Sequence, residues 1–167
     1  MSSLLITLCQ SICRVGAVGA VISLALLFLL GLGEILARGL FGFSLSFHQE
    51  YAGYLTALAL IWGSGYALQN GSHVRLSLVD ELVSSKTQNK LTNLANIIGV
   101  IISLMLTIAL VQWSITSFED GEVSFFAAAT PLWIPQSLMA FGPLTLAAAF
   151  YLRFTTKTGT VTTGEGL

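Results

Sequence analysis

The sequence predicts an all-α integral membrane protein with four transmembrane helices, both termini on the cytoplasmic side and short interfacial amphipathic helices. Three observations carry this. Only 9% of the 167 residues are charged while 54% are hydrophobic, against about 25% charged in an ordinary soluble domain. The apolar residues fall into long runs that charges scarcely interrupt, as a bilayer core requires. The basic residues lie almost entirely on one side of those runs. A net charge of −1 gives no footprint for nucleic acid.

The first span covers roughly Val15–Ile35, enough residues to cross a hydrocarbon core at about 1.5 Å each. The second covers Tyr51–Leu68 and the third Leu94–Phe118, which is more polar, with Asn96, Ser103, Thr107, Gln112, Ser114 and Thr116. The fourth covers Leu132–Phe154, where Pro143 after Gly142 predicts a kink. Helices are the default because a lone helix satisfies its own backbone in lipid, and barrel-type alternation is absent. Arg14 follows the first apolar residues instead of preceding them, and no small-residue cleavage pattern ends the run. The N-terminal segment is therefore expected to be retained.

Orientation follows from Lys and Arg. With the N-terminus inside, Arg14, Arg75, Lys86, Lys90, Arg153 and Lys157 are cytoplasmic and only Arg38 is outside. The segment "FEDGEVSFFAAATP" has three acids and no base, so it belongs outside. Tyr51, Tyr54, Trp113 and Trp133 then fall near the outer interface, and Tyr66 and Tyr151 near the inner one.

Two further segments are expected in the interface. In "LSLVDELVSSKTQNKL", Leu76, Val79, Leu82 and Val83 share one helical face, Ser77 with Asp80 reads as a capping box, and Lys86 and Lys90 can meet anionic headgroups. Leu4, Leu5, Leu8 and Ile12 suggest an amphipathic lead-in. Residues 1–154 form a single four-helix membrane domain, and the Thr/Gly-rich residues 155–167 form a flexible cytoplasmic tail.

Charged groups at mid-membrane mark transport pathways, and no span carries one near its centre. Glu34 lies four residues before Arg38, so the two can pair along one helix face, as an interfacial ion pair or as a contact for a partner. His48 and His73 are the two histidines, and a helix between them separates them by about 37 Å, too far for one haem or metal. Cys9 and Cys13 are one turn apart with no further ligands nearby, which favours inert thiols over a metal site. No nucleophile signature is present, so the chain does not read as an enzyme, and no cofactor is expected. The pairs Gly16/Ala20, Gly53/Ala57 and Ala59/Gly63 allow close helix approach. At the outer interface Ser46 and Gln49 have capping-box spacing. Glu50 then falls in the first turn of the second span, where a negative charge complements the helix dipole. An Arg38–Glu50 pair is expected, with Glu34 competing for the same guanidinium. Arg75 either caps the second span, binds lipid phosphate or meets a partner.

The stretch "RGLFGFSLSFHQEYAGYLTALALIWGSGYALQNGSHVRLSLVDEL" resembles the small membrane subunit (Q subunit) of tripartite ATP-independent periplasmic (TRAP) transporters. Arg38 ends the first span, Glu50 opens the second, Gly63 and Gly65 lie within it, and Gly71, His73, Val74 and Arg75 form a Gly-x-His-hydrophobic-Arg motif. Ser117, Gly121, Ser124, Pro131, Trp133 and Pro143 extend the likeness over nearly the whole chain. Two departures are Gln49, where the family often has an acid, and Ser77, where it often has Asp; Ser retains the helix-capping role.

The resemblance implies a small non-catalytic subunit in a bacterial inner membrane. Its partners would be a large membrane subunit, a periplasmic substrate-binding protein and membrane lipids. The small subunit would brace the large one during uptake of an organic acid, with the Na⁺ sites in the large subunit. Glu34, Arg38, Glu50, His73 and Arg75 are its partner-facing or structural candidates. Glu119, Asp120 and Glu122 are candidates for contact with the binding protein. The alternatives are an anchor or scaffold subunit of another complex, such as a redox one, or a self-contained small exporter.

Overall fold

A computed structural model describes residues 2–70 and 85–161. The described residues form four helices: α1 (Ser2–Phe41), α2 (His48–Gln69), α3 (Ser85–Glu119) and α4 (Trp133–Val161). They alternate in direction. The α1–α2 connection and the α3–α4 connection meet at one end of the bundle, called here the upper end, where Thr130 Oγ1 donates to Tyr51 Oη at 3.3 Å.

α1 is one uninterrupted helix of 40 residues, about 60 Å long. The expected lead-in and the first span are therefore a single element. No proline interrupts it, and it stops only where Gly42 takes a φ of +73°, the left-handed conformation that ends helices at little steric cost to glycine. α2 is far shorter, at 22 residues or about 33 Å. The expected capping box does not form. Phe47 occupies the N-cap position and no side chain caps the helix; Ser46 and Gln49 are thus one position out of register for the role. The expected second interfacial helix lies mostly outside the described residues, as do Ser77 and Asp80, and the described part is helical from Ser85. α4 runs unbroken through Pro143 and on to Val161, so the first part of the segment expected as tail is helical.

Among the described residues, three helices are long and apolar enough to cross a membrane: Leu4–Phe41, Lys90–Glu119 and Trp133–Thr155. α2 falls short of that standard. Its reason is compositional: Gly53, Thr56, Gly63, Ser64 and Gly65, with three tyrosines, dilute the Leu and Ile of the run.

α4 is the central helix and packs against α1, α2 and α3; α1 also packs along α2. The contact surfaces are built from small side chains. Ala140, Ala147, Ala148 and Ala149 are buried on α4, and Asn96, Ser103, Ser114 and Ser117 on α3. The large apolar residues of α3, among them Ile98, Ile101, Ile102, Met105 and Ile108, face outward. This inversion suits lipid, where apolar burial drives little and close backbone approach supplies dispersion and polar contacts.

The tightest junction joins α1, α2 and α4. Thr145 is fully buried. Its hydroxyl donates to Gly142 O at 2.7 Å and faces Trp62 O at 3.4 Å, while Cys13 Sγ donates to Thr145 O at 3.4 Å. A Cβ on Gly65 would lie 2.5 Å from Thr145 O, and one on Gly16 would lie 2.8 Å from Trp62 O. Trp62 stacks edge-on against Phe141 at 5.1 Å and donates its indole N–H to Leu138 O at 2.8 Å. Of the expected small-residue pairs, Gly16/Ala20 and Gly63 serve this internal packing, Ala20 lying opposite Gly63; a Cβ on Gly53 would meet nothing. Toward the other end, Cys13, Leu68, Ala148, Ala149 and Leu152 form a cluster that Ile6, Cys9 and Ile12 extend.

Candidate functional site

At the upper end, polar side chains form two latches. In the first, Glu34 lies near the end of α1 and is 7% exposed. Its Oε1 accepts Arg38 Nη2 at 2.6 Å and Ser44 Oγ at 2.6 Å, and its Oε2 accepts the Leu45 backbone N–H at 2.8 Å. Arg38 also donates to Ser44 Oγ at 3.2 Å. The helical spacing of four brings acid and base together, and the left-handed Gly42 turns the chain so that Ser44 and Leu45 come back over Glu34. The carboxylate thus ties the α1–α2 connection to the helix it leaves. A pocket of about 440 Å³ beside it is lined by Glu34, Ile35, Arg38, Gly39 and His48.

The second latch is built on Glu50, which is 3% exposed. The expected Arg38–Glu50 pair is not the one formed, because Glu34 lies one turn from Arg38 on the same helix and holds it. Glu50 faces the α3–α4 connection instead. Tyr54 Oη donates to Glu50 Oε1 at 3.1 Å. The carboxylate lies beside the hydroxyls of Ser124 and Thr130, yet its Oε2 is buried without a well-aligned hydrogen bond. Tyr51 and Tyr54 pack edge-on, as do Phe47 and Tyr51.

The α3–α4 connection is a short hairpin. Val123 and Pro131 form an antiparallel bridge. Ser124 N–H donates to Thr130 O at 2.9 Å, Leu132 N–H to Glu122 O at 3.0 Å, and Ala129 N–H to Phe126 O at 2.9 Å. Ser124 Oγ accepts the Phe126 N–H at 3.2 Å, a local turn motif that serine favours. Gly121 and Ala129 both have positive φ, so the turn at each end of the tip is fixed by backbone conformation. Ser124 and Thr130 are buried against α2, and Phe125 is fully exposed.

Of the candidate acids, Glu119 and Asp120 are exposed at the end of α3. Glu122 is exposed as well, but its Oε2 accepts Ser117 Oγ at 2.7 Å, which gives it a structural tie that its sequence neighbours lack. His73 and Arg75 lie outside the described residues. Among the described residues no group of three or more His, Cys, Asp or Glu is placed to hold a metal ion. Sequence reasoning missed Ser124 and Thr130 as partners of Glu50, and Trp62 with Thr145 as the three-helix junction. Each pairing spans more than 70 residues, and local spacing carries no signal for it.

A family model described as DctQ: Tripartite ATP-independent periplasmic transporters, DctQ component, matches residues 27–158. That range takes in both latches, the hairpin and most of α4. No curated protein and no solved structure matches the chain.

Proposed function

This chain belongs to the family of DctQ components of tripartite ATP-independent periplasmic transporters, and on that premise we propose how it serves such a transporter. As the small subunit of a TRAP system it is a multi-pass membrane protein. In our reading all four helices cross the inner membrane of a bacterium. The upper end faces the periplasm, and both termini face the cytoplasm. α2 crosses despite its modest hydropathy because α1 and α4 flank it, which lowers the apolar surface it must present to lipid.

The subunit braces the large membrane subunit and carries no substrate itself. The large subunit moves an organic acid together with Na⁺, and a periplasmic binding protein delivers the acid. The observation that supports this best is the distribution of side chains. Small and polar residues line the interior of the bundle, and the large apolar ones of α1 and α3 point outward. Such a unit has a packed interior and two broad apolar flanks for lipid and for a membrane partner. Glu34, Arg38 and Glu50 act as structural latches at the periplasmic end. His73 and Arg75 belong to the cytoplasmic connection, and residues 1–154 form the membrane domain ahead of a tail.

Co-expression with the large subunit, followed by mild-detergent purification, tests the reading. The two are expected to co-purify, and uptake is expected only when both are present with the binding protein. Full Na⁺-driven transport by the large subunit and binding protein without this chain would overturn it.

A further inference from the structure

The hairpin between α3 and α4 holds two phenylalanines out of the protein. Phe125 is fully exposed and Phe126 half-exposed, with Ala127, Ala128 and Ala129 exposed beside them. A slack loop can fold such rings back and shelter about 2 kcal/mol or more of apolar surface per ring. This one does not. Its stem is bonded at Ser124–Thr130 and Glu122–Leu132, its tip is turned by the Ala129–Phe126 bond, and its base is held on α2 through Thr130 and Tyr51. The rings are displayed by a rigid support.

Within the hairpin and its base the charge has one sign, and Arg38, the exposed cation at this end, is paired with Glu34. Glu119, Asp120 and Glu122 stand at the base of the hairpin, and no Lys, Arg or His occurs from Glu119 to Leu132. An aromatic anchor inside a charged rim is the anatomy of a protein–protein hot spot. The complementary surface is an apolar socket rimmed by basic residues. A bilayer surface is the poorer occupant, because its anionic headgroups repel the three acids. A rim of one sign also steers a partner that arrives from solution, which a permanently associated membrane subunit does not need.

We propose that the Phe125–Phe126 tip is the anchor on which the soluble periplasmic binding protein docks, with Glu119 and Asp120 steering it. This rests on the reading above, in which the upper end faces the periplasm and a binding protein delivers substrate.

The test uses the assembled two-subunit membrane complex in proteoliposomes, with purified binding protein of the same system added outside. Phe125→Ala, alone and with Phe126→Ala, is expected to raise the half-saturating concentration of binding protein roughly tenfold or more. The maximal rate and the co-purification of the large subunit are expected to stay at wild-type values. Phe125 is fully exposed among the described residues, so its truncation spares the fold, and Phe125→Leu is expected to restore part of the loss. Glu119→Gln with Asp120→Asn is expected to weaken docking at low salt and to have little effect at high salt. A photo-crosslinking residue at position 125 is expected to trap the binding protein. Unchanged half-saturation in the phenylalanine variants would overturn the proposal. Loss of the large subunit on purification would also overturn it, assigning the tip to that partner. A wild-type complex that ignores the binding protein would instead overturn the functional reading beneath it.

Discussion

Arg38 reaches back one turn to place Nη2 2.6 Å from Glu34 Oε1, and this pairing leaves Glu50 to other partners. Glu34 is nearly buried whereas the Arg38 side chain is 70% exposed. The exposed arm of such a pair contributes little. The bonds from Ser44 and the Leu45 N–H to the same carboxylate tie the α1–α2 connection to α1, and the half-buried Leu45 N–H loses its partner if they are removed. Glu34→Ala is therefore expected to lower the melting temperature of the purified complex more than Arg38→Ala does, as followed by intrinsic fluorescence in detergent. Equal effects would show that the ion pair, not the backbone tie, is what matters.

Glu50 is expected to act through the hairpin. Glu50→Ala removes the acceptor that faces Tyr54, Ser124 and Thr130, and should raise the rate of proteolysis within residues 122–131. Glu50→Gln keeps one carbonyl acceptor and should have a smaller effect. On the proposed reading, with Na⁺ bound by the large subunit, neither is expected to alter the Na⁺ response of uptake. A shifted Na⁺ response with an intact hairpin would mark Glu50 as an ion ligand instead.

At the three-helix junction, Gly65 has no room for a side chain, since a Cβ would lie 2.5 Å from Thr145 O. Overpacking of this kind costs about 1–3 kcal/mol. Gly65→Val is expected to destabilise the bundle by at least that much, and Gly53→Ala, at a position whose Cβ meets open space, by far less. Thermal unfolding of the two variants side by side checks the contrast.

Thr145 offers a finer probe. Thr145→Val keeps the shape and removes the hydroxyl that donates to Gly142 O. The loss is expected to be about 1 kcal/mol, while Thr145→Leu, which adds volume against Gly16 and Gly65, is expected to cost more. The same unfolding measurement separates them.

Much of the architecture was legible in the residue order, and the reasons differ by element. α1, α3 and α4 announce themselves because lipid imposes composition over a whole helix length. The Glu34–Arg38 pair was legible because helical spacing is local and regular. Ser46 and Gln49 misled, since a capping box depends on where the first turn starts, and the chain reaches α2 through Phe47 instead. Glu50 stands out in the sequence, but its nearness to Arg38 there points to a partner that the fold does not give it. Its neighbours Ser124 and Thr130 come from a hairpin more than 70 residues away, and hydroxyl residues in a loop carry no mark of what they will face. Composition marks the third helix only as more polar. The structure divides those polar residues, turning Asn96, Ser103 and Ser114 inward and leaving Gln112 and Thr116 exposed.

The central position of α4 has a consequence for how the protein is made. α1 and α2 pack along one another and can pair as soon as both have left the ribosome. α3 packs chiefly against α4, so it enters the bilayer before its main neighbour has been synthesised. During that interval its Asn96, Ser103, Ser114 and Ser117 are without the surface that later covers them. Until α4 arrives, the serine hydroxyls have the carbonyls of their own helix as partners, and the Asn96 amide is the group least provided for. Assembly of this small protein is therefore most vulnerable between the emergence of its third helix and that of its fourth.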